Sequence, residues 1–188
     1  MTKSRWMNLS AMASVAMLLA CHTAAAAAPP SQTLASIAAA DQADRSVGTN
    51  HIDWNVVGKR DAARRAQVMQ LLDSGQIRTA TDYFDAALIF QHSDTVQDTQ
   101  LALAFATVAS RMDPSSRYAR QLVADAWDRI MVRSGKPQWY GTQFVRSKTT
   151  GKWELYPVDP NAVSEAQRKA MDIPTVEEEK AHLAELNQ

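Results

Sequence analysis

Ala80-Thr81-Asp82-Tyr83-Phe84-Asp85-Ala86-Ala87-Leu88-Ile89-Phe90-Gln91-His92 is the stretch on which the fold turns. Tyr83, Phe84, Ala86, Ala87, Leu88, Ile89 and Phe90 leave a helix built from it with almost no polar face. A helix that is apolar all round is buried on several sides, so this one is expected at the centre of a helical domain.

The flanking segments supply its partners. Asn55 to Asp73 reads as an amphipathic helix, with Ala62, Ala66, Met69 and Leu72 inward and Arg60, Arg64 and Arg65 outward. Val96 to Met112 places Leu101, Phe105, Val108 and Met112 on one stripe, and Asp113-Pro114 then breaks the chain. Arg117 to Arg133 carries Ala119, Val123, Ala126, Trp127 and Ile130 on its buried side, with Gly135 and Pro137 as stop signals. Upstream, Thr33 to Val47 forms a helix with Leu34, Ile37 and Ala38, ending in the polar run Asp41-Gln42-Ala43-Asp44-Arg45.

After residue 137 the pattern changes. Gln138 to Arg146 and Lys152 to Tyr156 read as short strands around Ser147-Lys148-Thr149-Thr150-Gly151, a small hairpin. Strand alternation puts Trp139, Gly141 and Gln143 on one face and Tyr140, Thr142 and Phe144 on the other. Asp159 and Pro160 are expected to start a helix, and Thr175-Val176-Glu177-Glu178 fits a capping box for the last one. The expected fold is mainly α: a single helical domain of about six helices with one β-hairpin near the C-terminal third.

The first residues read as an export signal. Lys3 and Arg5 precede a mostly apolar run from Met7 to Ala20, too short to cross a bilayer as a mature helix. Leu18-Leu19-Ala20-Cys21 resembles a bacterial lipobox, which implies lipidation of Cys21. Cleavage within Ala24 to Ala28 by the ordinary signal peptidase is the alternative. The expected layout is a lipoprotein signal over 1–20, a lipid-anchored linker over 21–32 and the helical domain over 33–188. The address is then periplasmic. His22 follows the cysteine, where inner-membrane lipoproteins usually carry aspartate, so the outer membrane is favoured over the inner. A soluble periplasmic or secreted protein is the other outcome.

Composition narrows the function classes. Cys21 is the one cysteine, so an internal disulfide, a cysteine nucleophile in the mature domain and a cysteine-bound zinc are excluded. The chain carries 20 basic and 20 acidic residues, and without Lys3 and Arg5 the net charge is −2. There is no basic field for nucleic acid, and membrane contact is expected through the lipid anchor only. No Gly-x-Ser-x-Gly elbow, phosphate-binding glycine loop or His-Glu-x-x-His pair is present. His51-x-Asp53 and His92-x-Asp94 are too sparse for a metal site, and no cofactor is expected.

The remaining candidates are polar residues at unusual places. Gln91 and His92 end the central helix, where His92 serves as a cap or as a proton donor in a pocket. Asp128 falls nearly opposite the Val123/Ile130 stripe, which by itself predicts a solvated carboxylate. Asp125 and Arg129 are spaced for a surface pair. Gly141, inside a strand, marks a bulge or a close approach.

These residues carry a resemblance. The chain resembles a bacterial family of uncharacterised domains that share an Asp-Gln pair, a Gln-His pair, an Asp-Arg pair and Pro-Gln-x-Tyr-Gly-Thr-Gln. Here these are Asp41-Gln42, Gln91-His92, Asp128-Arg129 and Pro137-Gln138-Trp139-Tyr140-Gly141-Thr142-Gln143. The likeness spans about Ala40 to Met171. Gly75-Gln76-Ile77 departs from the family's Gly-Trp-Pro turn, and Pro157-Val158-Asp159-Pro160 is one residue short. The resemblance implies that Asp128 faces a second, polar packing surface. Gln91, His92, Asp128, Arg129, Gln138, Tyr140, Gly141, Thr142 and Gln143 are the candidate site residues.

Three functions fit this set. The first is a non-catalytic periplasmic lipoprotein that binds a protein partner in the cell envelope through the hairpin and nearby helix ends, for example an immunity-type inhibitor of an exported toxin. The second is a small periplasmic hydrolase with His92 as acid/base, Asp128 as its orienting group and Arg129 or Gln143 holding an anionic substrate. In the third, the polar set is a hydrogen-bond network that only braces the fold.

Overall fold

The computed structural model describes residues 30–46 and 51–187. The signal, Cys21 and the 24–29 part of the linker lie outside the described residues, as does Val47. The order is α1 (Pro30–Ala43), α2 (Trp54–Asp73), α3 (Ala80–Gln91), α4 (Val96–Met112), α5 (Arg117–Arg133), β1 (Phe144–Arg146), β2 (Trp153–Leu155), α6 (Glu165–Ala170) and α7 (Val176–Leu186). The fold is mainly α, with seven helices and one two-stranded hairpin among the described residues. None of these helices is long and apolar enough to cross a membrane.

Thr79 starts α3 with a capping box: its hydroxyl accepts from the Asp82 N–H, and the Asp82 carboxylate accepts from the Thr79 N–H. The helix then runs into the core, where Ala86, Ala87, Ile89 and Phe90 are buried. It packs on α1, α2, α4 and α5, as an all-round apolar helix must. Phe90 meets Phe105 of α4 edge to face, 5.5 Å between ring centres. Alanines dominate the close contacts: Ala86 and Ala87 on α3, Ala102, Ala106 and Ala109 on α4, Ala119, Ala124 and Ala126 on α5. Loops of four residues join α3 to α4 and α4 to α5, so these three helices run antiparallel in sequence. The C-terminal ends of α3 and α5 therefore share one end of the bundle with the start of α4.

Several inward faces differ from the sequence expectation. On α2 the buried residues are Val57, Asp61, Arg64 and Val68, while Ala62 and Ala66 are exposed. The helix is turned so that its charged side meets the acidic end of α1. On α4, Val108 is 38% exposed and Met112 49%, and the helix buries Thr99, Ala102, Phe105, Ala106 and Ala109 instead. Squeezed between α3 and α5, α4 places its small residues where the backbones come closest. On α5, Leu122, Ala124 and Asp128 join Ala119 and Ala126 inside, because the helix is covered on two sides.

The C-terminal third is less regular than expected. Residues 139–143 are not strand, so the predicted alternation across Trp139 to Phe144 does not occur. Phe144–Arg146 pairs antiparallel with Trp153–Leu155, and Gln138 makes an isolated parallel bridge to Val158. Asp159 closes a turn by accepting the Asn161 N–H, whereas α6 starts later, capped by Ser164 with Gln167. The Thr175–Glu178 capping box of α7 is present.

Candidate functional site

Asp128 organises the hairpin. Its carboxylate is wholly buried. Oδ1 accepts from the N–H of Trp139 (2.7 Å) and Tyr140 (2.9 Å), and Oδ2 from the N–H (3.0 Å) and hydroxyl (3.0 Å) of Thr142. Such charge-assisted bonds are about twice as strong as neutral ones. They explain why this stretch curls around a side chain instead of extending as a strand. Gln138 completes the clamp: its amide donates to the carbonyls of Gln143 (2.9 Å) and Tyr156 (2.8 Å), and its Oε1 accepts the Gln143 N–H. Trp139 packs on Trp127, ring centres 4.7 Å apart. Gly141 sits at φ +74°, and a Cβ there would come within 3.0 Å of both Nη atoms of the buried Arg168. The close approach anticipated at Gly141 is this guanidinium, which also donates to the Pro174 carbonyl.

A second polar assembly lies where α1, α2 and α3 meet. Asp41 is fully buried at the end of α1. Arg45 reaches Asp41 Oδ1 (3.0 Å) and Asp61 Oδ2 (2.5 Å), tying α1 to α2. Arg64 donates to Asp61 (2.9 Å), to the Ala40 carbonyl and to Asp44, and Arg60 adds a contact to Asp44. The hydrogen bond from Arg64 holds the Asp44 carboxyl below the usual range, against the opposing effect of burial. From α3, His92 Nδ1 lies 2.9 Å from Asp41 Oδ2. The contact is close but off the line of a good ring N–H hydrogen bond, so Nδ1 has no hydrogen-bond partner among the described residues.

Nδ1 is enclosed, yet the His92 side chain is 15% exposed, so other atoms of the ring carry that exposure. His92 lines a cleft of about 330 Å³ with Arg45, Trp54, Asp61, Arg65, Ser93 and Asp94. Arg65 is paired with Asp98 at 3.0 Å, and Ser93 donates to the same carboxylate at 2.6 Å. Trp54, 57% exposed, stands at the rim. No group of three metal-ligating side chains occurs among the described residues.

Arg129 and Asp125 lie on α5 beside Asp128, and both are largely withdrawn from solvent, unlike a surface pair. Burial pushes the Asp125 carboxyl up to about 6; the Arg129 charge and the Thr142 hydroxyl oppose this, while Asp128 and Glu179 add to it. Burial holds the Arg129 guanidinium below its usual range; Asp125 supports its charge, and Arg133 and Arg45 repel it.

Apart from Arg129, the candidate residues thus divide into two groups. Asp128, Gln138, Tyr140, Gly141, Thr142 and Gln143 form the hairpin clamp. Gln91 and His92 belong to the C-terminal end of α3, and the carboxylate beside His92 is Asp41. The orienting role expected of Asp128 does not arise, because both its oxygens hold the hairpin. Arg45, Asp61, Arg64 and Arg65 belong to the cleft and its network, although their charge suggests an outward face. The signal for them is Asp61 and Arg64 on one side of α2 with Val57 and Val68, opposite an acidic helix end. Comparison with protein-family models, curated proteins and solved structures finds no match for this chain.

Two substitutions test these assignments. Asp128→Ala leaves three backbone N–H groups and a hydroxyl without their acceptor and should cost about 3–5 kcal/mol. Urea unfolding measures it, and amide exchange should show protection lost at residues 139–142; unchanged protection there would contradict the role given to Asp128. For Asp125 the folded-state value lies above 3.8, so the folded protein holds the proton more tightly. Its contribution is intact below pH 3.8 and is lost as pH rises from 3.8 to about 6. Asp125→Asn should therefore gain stability relative to the parent across that window, by at most about 3 kcal/mol. A difference between the two proteins that is flat from about pH 4 to about pH 6.5 would count against it.

Proposed function

We propose that the chain is a binding module of the bacterial cell envelope and that its ligand site is the cleft at the meeting of α1, α2 and α3. The observation that carries this reading is His92, fixed beside the buried Asp41 with its ring on the cleft wall. The cleft offers guanidinium, imidazole, hydroxyl and carboxylate groups and an indole at its rim, a lining suited to a small polar ligand. The hairpin reading loses its main support, since the amides and hydroxyl expected to meet a partner bond within the chain. Partner docking there, including inhibition of a toxin, would rest on the exposed Trp153 ring, since Asn187 already holds the N–H and C=O of that residue.

The test is a thermal-shift screen of small polar compounds, followed by ring NMR of His92. At least one compound should raise the melting temperature of the parent protein and move the His92 ring signals. His92→Asn and Arg65→Gln should each weaken that response at least tenfold. A response that survives both substitutions places the ligand elsewhere.

The same geometry favours a second reading, chemistry at His92. A carboxylate beside one ring nitrogen is how an acid/base histidine is oriented. In this arrangement Asp41, not Asp128, is the positioning residue and Nε2 exchanges the proton. Loss of turnover in His92→Asn with ligand affinity kept would support catalysis over binding alone.

The envelope address rests on the N-terminal sequence. Metabolic labelling with radioactive palmitate should mark the protein and place it in the membrane fraction, and Cys21→Ala should abolish both. No labelling in the parent would favour cleavage within Ala24 to Ala28, and labelling that persists in Cys21→Ala would place the lipid on another residue.

A further inference from the structure

The geometry points to Arg129 as the anchor of an oxyanion-binding site at the end of the bundle shared by α1, α3 and α5. The inference rests on the ligand-site reading above and names the class of ligand.

Arg129 is the exception among the guanidiniums near this end. Arg45 is paired with Asp41 and Asp61, Arg64 with Asp44 and Asp61, and Arg65 with Asp98. Arg133 donates to the Thr99 hydroxyl at 2.9 Å. Among the described residues, Arg129 has no carboxylate within 4.0 Å and no hydrogen-bond acceptor. Its Nε is enclosed and unpartnered, while its two Nη groups are not enclosed and have no acceptor among the described residues. Asp125 is the carboxylate that acts on it from a distance, and Arg133 and Arg45 act against it.

A largely buried cation with two like charges nearby and no contacting anion is costly, because neither water nor a counter-charge solvates it fully. An arginine serving only as packing would be replaced at a gain in stability by a neutral side chain of similar length. A guanidinium with free Nη donors is, however, the group that grips a carboxylate or phosphate through two parallel hydrogen bonds. An oxyanion delivered there would compensate Arg129 and relieve its repulsion with Arg45 and Arg133. Arg45 also lines the cleft that holds His92, and its charge acts on Arg129, so one residue connects the two places. Phosphate and carboxylate share this chemistry.

The full chain, its Arg129→Met and its Arg129→Lys variants are compared in low-chloride buffer. Inorganic phosphate and succinate serve as probes, against sodium chloride at matched ionic strength. Without added anion, Arg129→Met should melt about 2–4 °C higher than the parent, because an uncompensated charge is gone. Millimolar phosphate or succinate should raise the parent by about 2 °C or more beyond chloride. Arg129→Lys should keep part of that rise and Arg129→Met none. Whichever probe gives the larger rise identifies the ligand head group. Equal stabilisation of parent and Arg129→Met means an adventitious ion only and overturns the proposal. A lower melting point for Arg129→Met, with no anion-specific rise in the parent, makes Arg129 a packing residue and overturns it too. His92 ring NMR separates the two readings. If neutral polar compounds move His92 while anions give no Arg129-dependent rise, the cleft stands and the oxyanion class falls. If the Arg129-dependent rise is present while nothing moves His92, the cleft reading falls and the oxyanion site stands; if neither is seen, both fail.

Discussion

The carboxylate of Asp128 is the contact on which the C-terminal third depends. α5 ends at Arg133, and the chain beyond it has little apolar surface of its own to bury. A two-stranded hairpin of three residues per strand is not stable alone in water. It is held because one buried anion accepts three backbone N–H groups and a hydroxyl from residues 139–142. That arrangement bends the chain, seats Trp139 on Trp127 and brings Gly141 against Arg168. Arg168 then fixes the Pro174 carbonyl ahead of α7. Each step hands the chain to the next, largely by polar contact, where α3, α4 and α5 rely on alanine packing.

The junction of α1, α2 and α3 works the other way. Asp41, Asp61 and Arg64 are buried together, and the desolvation of such charges offsets most of their mutual attraction. Apolar side chains of similar volume would join these helices as well or better. The network therefore explains less about stability than about placement: it sets His92 beside a fixed carboxylate and keeps Arg45 at a cleft wall. A module that only held its helices together would not need ionisable groups from three helices and an exposed indole in one place.

Much of this is legible in the sequence, and the failures share a cause. Helix positions follow from caps and stops, such as Thr175 with Glu178 and the glycine after α5, because these are local signals. Faces are harder. Reading Ala62 and Ala66 as the inward side of α2 assumes that a helix buries its apolar residues, while its neighbour is the acidic end of α1. Val108 and Met112 are displaced by alanines for the same kind of reason: which face is buried depends on how closely the neighbours approach. Residues 139–143 look like strand because their side chains favour one, yet the N–H groups are taken by a side chain eleven to fourteen residues away. Periodicity carries no information about such a contact.

Adjacent positions on α5 connect the two polar assemblies. Successive residues on a helix point about 100° apart. Asp128 turns to the hairpin and is saturated by it, while Arg129 turns toward the charges of Arg45 and Arg133 and is satisfied by neither protein nor full solvent. The Asp-Arg pair thus joins a finished contact to an unfinished one. Fixing Asp128 also fixes the rotation of α5, and with it the direction of Arg129. The clamp that looks purely structural sets where a largely buried guanidinium, without a partner among the described residues, is presented. A rigid presentation matters for a buried cation, because a flexible one would swing out to water and lose its bias for an oxyanion.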